Sequence, residues 1–216
     1  MAEGASGIYV LAGTNGAGKS SIGGALFRRG HSDYFNPDEC TRRILEANPG
    51  LPPGEANGAA WHEGKRLLER AIRERLRFAF ETTLGGTTIP ALLAQAAAQG
   101  IEVRIWYAGL ATPELHLARV RARVARGGHD IPEEKIRQRY QDSRLHLIDL
   151  LPFLTELYVY DNSKEADPAT GKAPKPLLVL HMHRRKIVAP PDLSRTPAWA
   201  KPIVAAAIKL ALGKGR

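Results

Sequence analysis

The sequence predicts an α/β fold in which helices cover both faces of a parallel β-sheet. Short apolar, β-prone runs alternate with helical patterns along the chain, as where residues 101–108 are followed by 113–126. The first run, residues 8–12, stops at a glycine-rich turn that another helical pattern follows. The length of 216 residues suggests one domain, 1–216, with a single sizeable core.

The elements follow in order along the chain. The predicted strands are residues 8–12, 34–36, 78–80, 101–108 and 157–160. The predicted helices are residues 20–28, 37–47, 59–76, 89–98, 113–126 and 132–150. Pro37 fits the first helical position with Asn36 as the cap, and residues 48–58, rich in proline and glycine, are predicted to be a loop. At the C-terminus, about 175–212, we predict a β-hairpin (177–180 with 187–188) and an amphipathic helix docked on the same domain.

Composition favours a protein of a reducing compartment, so we expect a cytoplasmic location. Cys40 is the single cysteine, which excludes an internal disulfide, and we expect it to be a buried helix residue. No signal peptide and no apolar run long enough for a bilayer is recognisable. The net charge of +9 favours anionic partners, such as nucleotides, sugar phosphates, nucleic acid or an acidic protein, although a solvated basic surface gives the same number.

The most specific pattern is Gly13-x4-Gly18-Lys19-Ser20, which lies between a predicted strand and a predicted helix. Glycines allow the backbone N–H groups to turn towards phosphate oxygens, the lysine reaches the β- and γ-phosphates, and the serine hydroxyl ligates Mg²⁺. A dinucleotide-binding G-x-G-x-x-G motif does not fit, because its third glycine would fall on Ser21. The predicted residues of this nucleotide site are Gly13, Thr14, Asn15, Gly16, Ala17, Gly18, Lys19, Ser20 and Ser21.

Acidic residues follow several predicted strands, where a parallel sheet would bring them beside the phosphate loop. We predict Asp38 as the base that takes a proton from an acceptor hydroxyl, although a first-turn aspartate also complements a helix dipole. Glu81 is a candidate for Mg²⁺, its waters or substrate. Asp161 with Asn162 is predicted to form a turn.

Arginines crowd the two predicted helices that Gly127–Gly128 joins. We predict that the segment 113–150 is a lid that brings one or two arginines onto the γ-phosphate. Two solvated helix faces, salt-bridged to Glu133, Glu134 and Asp142, are the alternative. His129 is either a phosphate ligand or a loop histidine. The arginines of this segment are Arg119, Arg121, Arg123, Arg126, Arg137, Arg139 and Arg144.

Four stretches resemble the zeta-toxin-like family of small P-loop kinases, over about residues 7 to 190. They stand beside the phosphate loop and cover residues 34–39, 80–84, 123–140 and 160–163. The most specific parts are Phe-Asn-Pro-Asp-Glu at 35–39 and Gly-Gly-His-Asp-Ile-Pro at 127–132. The resemblance implies a P-loop NTPase-type sheet with a helical lid, an ATP-dependent kinase acting on UDP-N-acetylglucosamine, and an antitoxin protein that neutralises it.

The resemblance also implies residue roles. Lys19 and Ser20 correspond to the nucleotide and Mg²⁺ residues, and Asp38 to the catalytic aspartate. Glu81 and Thr83 resemble residues of the substrate pocket. Arg126 and Arg139 resemble the paired phosphate-binding arginines, with Arg123 and Arg137 as alternatives because the well-studied toxins have a different lid sequence.

Motif and resemblance together predict a kinase that transfers the γ-phosphate of ATP, or of GTP, to a small-molecule hydroxyl, with Mg²⁺ as cofactor. The toxin half of a toxin–antitoxin pair is an alternative. A nucleotide-dependent nucleic-acid-binding protein is another, disfavoured because no motif that reads RNA or DNA is present. Other metal sites lack support, because His181 and His183 alternate on a predicted strand in the manner of surface residues.

Overall fold

The computed structural model of the chain describes residues 6–19, 22–23, 34–128, 130–164 and 175–213. Within these residues, seven strands form one mixed sheet in the order β2-β3-β1-β4-β5-β6-β7. The strands are β1 (Gly7–Ala12), β2 (Tyr34–Phe35), β3 (Arg77–Thr82), β4 (Glu102–Gly109), β5 (Glu156–Asp161), β6 (Leu177–His183) and β7 (Lys186–Ala189).

The helices of the described chain lie where the sequence predicts them, with shifted ends. They are α1 (Pro37–Ala47), α2 (Pro53–Arg73), α3 (Thr88–Ala98), α4 (Pro113–Val124), α5 (Glu133–Leu150) and α6 (Lys201–Leu212), and short 3-10 turns cover Leu151–Phe153 and Ala198–Ala200. The helix predicted over 20–28 falls, apart from residues 22 and 23, outside the described residues.

The sheet places the end of β1 at a point where the chain changes direction. β1 pairs in parallel with β3 on one side and β4 on the other, so Ala12 lies beside both Thr82 and Tyr107. After β1 the chain runs to β2 and β3 on one side, and it then crosses to β4 and β5 on the other. Ligands of open α/β sheets bind at such a switch point, outside the carboxyl ends of the strands.

The sheet is parallel as predicted except at one end, where two antiparallel strands extend it. The predicted C-terminal hairpin is present, and it joins the sheet, because β6 pairs antiparallel with β5 and β7 antiparallel with β6. A turn of only two residues, Arg184 and Arg185, connects β6 to β7, and so short a connection permits only antiparallel pairing. The first five strands keep the predicted parallel arrangement.

The main core lies between the sheet and the helices α2, α3, α5 and α6. Ile8 and Ile105 on the strands share one buried cluster with Leu68, Leu147 and Ile203 of three of these helices. A smaller cluster around Leu11 and Ala79 occupies the opposite face of the sheet. Helix α6 buries Ile203, Val204 and Ala207 in the main core.

Helix α2 is the largest departure from the sequence prediction. It begins at Pro53, so the predicted loop 48–58 shrinks to residues 48–52. Proline lacks an N–H that the first helical turn would leave unsatisfied in any case, and this makes Pro53 a good start. Gly64 is tolerated inside the helix because the Phe35 ring packs where a side chain would stand, 2.6 Å from a Cβ built there.

Smaller departures concern three predictions. Helix α4 ends at Val124 and not at residue 126, and Glu81 lies within β3 and not after it. Cys40 is half-buried against the core and not fully buried; that burial raises the pKa of its thiol. In the part of the chain that the structure describes, no helix combines the length and the apolar character needed to cross a bilayer.

Candidate functional site

The glycine-rich loop starts directly after β1, at the carboxyl edge of the sheet. Gly13 has a φ of +137°, and a Cβ at this position would stand 2.2 Å from the Ala108 carbonyl oxygen. Gly16 has a φ of +80°, and its Cβ would lie 2.7 Å from the His116 carbonyl oxygen. Gly18 also has a positive φ, +75°. The motif glycines therefore occupy conformations that other residues rarely adopt.

The loop folds back on itself as a compact turn. The Ala17 N–H donates to the Thr14 carbonyl over 3.0 Å, and the Lys19 ammonium donates to the Gly13 carbonyl over 3.0 Å. Thr14 and Asn15 are buried, at 2% and 9% exposure. Backbone groups gathered in such a turn form a concave anion site. Ser20 and Ser21, predicted to contact Mg²⁺ and phosphate, lie outside the described residues.

Three side chains hold the loop from outside. His116 of α4 places Nδ1 2.7 Å from the Asn15 carbonyl oxygen, and Asn162, just after β5, donates from Nδ2 to the Ala17 carbonyl over 2.9 Å. Arg139 of α5 donates from Nη1 to the Asn15 side-chain oxygen over 2.8 Å, while its carbonyl accepts from the Thr14 hydroxyl. Helices α4 and α5 are thus attached to the loop.

His116 is almost completely buried, at 1% exposure. Burial lowers its pKa to about 4; the hydrogen bond to Asn15 acts in the opposite direction, and the charges of Lys19, Arg119 and Arg144 add to the lowering. The imidazole is therefore neutral at pH 7. Because a carbonyl oxygen only accepts, Nδ1 of the ring carries the proton.

The predicted acidic residues come together beside the loop. Asn36 caps α1, accepting from the backbone N–H groups of Asp38 and Glu39, and its amide donates to Glu81 Oε1 over 3.2 Å. The Tyr34 hydroxyl donates to the same oxygen. Asn36 therefore fixes the start of the helix that carries Asp38 and contacts Glu81 as well. The Thr83 hydroxyl oxygen accepts from the Gly85 N–H over 3.3 Å in the turn after β3.

Two arginines of the α4–α5 pair lie close to Asp38. Arg123 Nη1 lies 3.0 Å from Asp38 Oδ2 in an ion pair whose side chains are 37% and 63% exposed. Burial lowers the pKa of Arg139, and the charge of Asp38 acts in the opposite direction. The Arg139 side chain packs on Gly85, where a Cβ would stand 2.5 Å from its Cγ. The structure thus brings Asp38, Arg123 and Arg139 together at the loop.

The other arginines point elsewhere. Arg126 is exposed, lies beyond the end of α4, and donates from Nε to the Ala122 carbonyl of that helix, 3.1 Å away. Arg137 forms ion pairs with Glu114 and Glu133, and Arg121 forms one with Glu133. For these two arginines the structure agrees with the alternative prediction of solvated helix faces joined by salt bridges. Arg119 donates to the backbone carbonyls of Asn162 and Lys164, and Arg144 stacks over the Tyr140 ring. His129 lies outside the described residues.

Sequence reasoning missed two contributors to this site, His116 and Tyr34. A histidine among the apolar positions of α4 was a detectable signal, whereas nothing local marks Tyr34 as a partner of Glu81. Asp161, predicted to lie in a turn, is the last residue of β5, and its side chain accepts from the Ser163 N–H and from Trp199 Nε1. Asn162 does more than the prediction allowed, because it reaches the phosphate loop.

The fit of the site to Mg²⁺ rests on two residues, Ser20 and Glu81. Glu81 is only 9% exposed, and both Tyr34 and Asn36 donate to its Oε1. A metal would therefore use the other oxygen or approach through water. Among the described residues, no group of three or more histidine, cysteine or acidic side chains is arranged to hold a metal. Magnesium at this site stays a prediction.

A protein of Haemophilus influenzae (strain ATCC 51907 / DSM 11121 / KW20 / Rd), described only as uncharacterised, is 33% identical to this chain over 132 residues. The aligned part makes up 59% of this chain and 88% of that protein. The chain belongs to the same family. No family model matches the sequence.

Solved structures identify the fold of this family member. The AvrRxo1-ORF1:ORF2 complex matches with a TM-score of 0.67 and 13% sequence identity, and the match covers 95% of this chain and 71% of that one. The same complex with ATP matches with a TM-score of 0.66 and 12% identity, over 99% of this chain and 67% of that one. The PezAT toxin–antitoxin system of Streptococcus pneumoniae matches with a TM-score of 0.53 and 14% identity, over 100% of this chain and 81% of that one. A candidate kinase from Chloroflexus aurantiacus matches with a TM-score of 0.51 and 10% identity, over 64% of this chain and 78% of that one. These structures share the α/β fold of the chain, which is the fold class that the sequence predicted.

Proposed function

We propose that the protein is an ATP-dependent kinase that transfers the γ-phosphate to a hydroxyl group of a small molecule. One observation carries the proposal: the phosphate loop, Asp38 and Arg139 meet at one end of the sheet. Arg139 is bonded to Asn15 of the loop over 2.8 Å, and Asp38 is close enough to influence the pKa of Arg139. An anion site with a carboxylate and a half-buried guanidinium nearby supplies components of phosphoryl transfer.

The nucleotide would bind through its phosphates. Backbone N–H groups between Gly13 and Lys19 would surround the phosphate oxygens, and the Lys19 ammonium would exchange the Gly13 carbonyl for the β- and γ-phosphates. Mg²⁺, bound with ATP, would neutralise part of the phosphate charge, and Ser20 and Glu81 are its proposed ligands. Structural similarity to the ATP-containing AvrRxo1-ORF1 complex supports ATP, with GTP as the alternative.

Asp38 would act as the general base. Its carboxylate would accept the proton of the acceptor hydroxyl while the acceptor oxygen forms a bond to the γ-phosphorus. The bond between that phosphorus and the oxygen bridging to the β-phosphate breaks, and the nucleoside diphosphate leaves. Lys19 and Arg139 would stabilise the charge that moves onto the phosphate oxygens, with Arg123 or Arg126 as the second lid arginine.

A sugar nucleotide, with UDP-N-acetylglucosamine as the first choice, is the acceptor that the family resemblance favours. Glu81 and Thr83 would line its pocket. The hydrogen bonds of Tyr34 and Asn36 to Glu81 support this assignment. Asn36 also accepts from the Asp38 N–H, so this group of fixed polar side chains lies beside the proposed base.

A second candidate is the toxin half of a toxin–antitoxin pair. Two of the solved structures with the same fold favour it: AvrRxo1-ORF1 is in a complex with AvrRxo1-ORF2, and PezAT is a toxin–antitoxin system. Expression of the chain alone, compared with its Asp38→Asn variant, tests this role. Growth arrest with the wild type but not with the variant is the expected result, and equal growth of both would remove the candidate.

The kinase proposal is tested with labelled ATP and a panel of sugar nucleotides. The wild type should phosphorylate at least one acceptor. Asp38→Asn should lower kcat about 100-fold or more while ATP still binds, because only the base is lost. Lys19→Ala should abolish ATP binding, whereas Lys135→Ala, an exposed lysine of α5, should change nothing. ATP binding without any product, or full activity of Asp38→Asn, would contradict the proposal.

A further inference from the structure

Two side chains outside the phosphate loop hold alternate carbonyls of its backbone. His116 Nδ1 donates to the Asn15 carbonyl over 2.7 Å, and Asn162 Nδ2 donates to the Ala17 carbonyl over 2.9 Å. They come from different elements, the helix α4 and the end of β5. The Thr14 carbonyl, which precedes both, is used inside the loop, where it accepts from the Ala17 N–H.

The planarity of the peptide bond gives these contacts a consequence for the neighbouring N–H groups. In a trans peptide the C=O and the following N–H point in opposite directions. Holding the Asn15 carbonyl towards His116 therefore directs the Gly16 N–H away from His116. Holding the Ala17 carbonyl towards Asn162 directs the Gly18 N–H away from Asn162 in the same manner.

We infer that His116 and Asn162 are positioning residues, which aim the Gly16 and Gly18 N–H groups at bound phosphate by holding the carbonyls on the far side of the same peptides. The inference rests on the proposed nucleotide binding. It adds two residues that the phosphate-loop pattern does not contain.

Both residues are themselves fixed. The His116 ring meets the Tyr140 ring edge-on, with centroids 5.6 Å apart, and its own carbonyl lies where a Gly16 side chain would stand. Asn162 donates its N–H to the Gly109 carbonyl over 3.0 Å and accepts from Arg119 over 2.9 Å. Glycines move easily, so an outside constraint is what keeps such a loop in one conformation before phosphate arrives.

Replacements at position 116 separate positioning from simple core packing. Asparagine carries an N–H donor on the same γ-branch as the histidine Nδ1, so His116→Asn keeps the bond to Asn15. His116→Leu keeps apolar volume and removes the donor. If packing were the role of His116, leucine would serve better than asparagine at this buried position. If positioning is its role, asparagine serves better.

The experiment is calorimetric titration of each variant with Mg·ATP and with inorganic tripolyphosphate, which probes phosphate contacts alone. His116→Leu and Asn162→Ala should each raise the Kd for both ligands about tenfold, and His116→Asn should stay within about threefold of the wild type. Thr41→Val is the matched control: Thr41 is buried, and the variant removes the 3.1 Å hydrogen bond from its hydroxyl to the Asn57 side-chain oxygen, between α1 and α2. It should lower the thermal midpoint and leave both Kd values unchanged.

Each contrary result has its own meaning. Wild-type affinity in His116→Leu and Asn162→Ala overturns the inference and leaves the proposed function intact. A rise in Kd for Thr41→Val equal to that of His116→Leu also overturns it, because the effect would then follow general stability. No binding by the wild type removes the proposed function and the inference together.

Discussion

The candidate site has two sides, of which one consists of backbone groups and the other of arginine side chains. The loop side, residues 13–19, is backbone held in a tight turn, with Thr14 and Asn15 buried and a carbonyl oxygen close to two of the glycines. On the arginine side, helices α4 and α5, Arg121, Arg123 and Arg137 form partly exposed ion pairs with acidic partners. Exposed ion pairs contribute about 0–1 kcal/mol each, so their partners can exchange at little cost. The loop has no such freedom.

This difference indicates a division of labour. A fixed backbone cavity suits a ligand group that is always the same, the polyphosphate tail. Exchangeable arginines suit the steps that vary during a catalytic cycle, such as acceptor entry and product release. Damage should therefore be severe and structural on the loop side, but graded and kinetic on the arginine side.

The largest effect is expected for a methyl group added to the loop. Gly13→Ala would place a Cβ 2.2 Å from the Ala108 carbonyl and force a positive φ on alanine, and we expect a loss of about 3 kcal/mol or more in unfolding free energy. ATP binding should be lost with it. Urea unfolding measures the first effect and calorimetry the second.

The matched control is Gly86→Ala. A Cβ on Gly86 meets no atom within 4 Å, so stability and ATP affinity should stay at wild-type values. If Gly13→Ala is as stable as Gly86→Ala and binds ATP equally well, the loop is as adaptable as the arginine side, and the contrast between the two sides disappears.

The same contrast explains which features of the fold and the site could be predicted from the sequence. Loop geometry is encoded locally by the glycine spacing, and strand and helix patterns are encoded by hydrophobic periodicity, so the motif and the parallel strands could be predicted. The pairing of Arg123 with Asp38 spans 85 residues of sequence, and no local pattern could distinguish it from Arg126. The antiparallel edge and the early start of α2 depend on a short turn and on packing around Phe35, which periodicity does not encode.

His116 links the two sides, and its buried, neutral ring makes stability sensitive to acid. Its pKa in the folded protein is about 4, against an ordinary value of 6.5, so between these values the unfolded chain binds a proton that the folded protein excludes. The stability that the protein has with a neutral His116 ring is fully present above pH 6.5, and it is lost as the pH falls towards 4. At pH 4.5 the loss should be about 2 kcal/mol.

The measurement compares the wild type with His116→Asn, which keeps a donor for Asn15 and cannot titrate. Unfolding free energies at pH 7 and pH 4.5 give the acid loss of each protein, and every other titrating group is common to both. The wild type should lose about 2 kcal/mol more than the variant. Equal losses would mean that the ring is protonated at little cost, and that the junction between α4 and the loop is open to water.

The smallest effect concerns the choice between two arginines, Arg123 within α4 and Arg126 just beyond its last residue. Arg123 pairs with Asp38, whereas Arg126 donates to the Ala122 carbonyl of α4. Arg123→Ala should therefore lower kcat about tenfold, less than loss of a fully buried donor, because its side chain is 37% exposed. Arg126→Ala should change kcat about twofold or less.

The reverse ranking would restore the assignment that the sequence favoured. Arg126 lies beyond Val124, the last residue of α4, so it would have to leave the Ala122 carbonyl and reach the nucleotide from the turn that contains Gly127 and Gly128. Asp38→Asn combined with each arginine variant separates the cases. If Arg123 acts through Asp38, its effect on kcat should shrink once that carboxylate is gone, and an effect of Arg126 should not. That outcome would show whether the arginine side works through one fixed ion pair or through an exchange of partners.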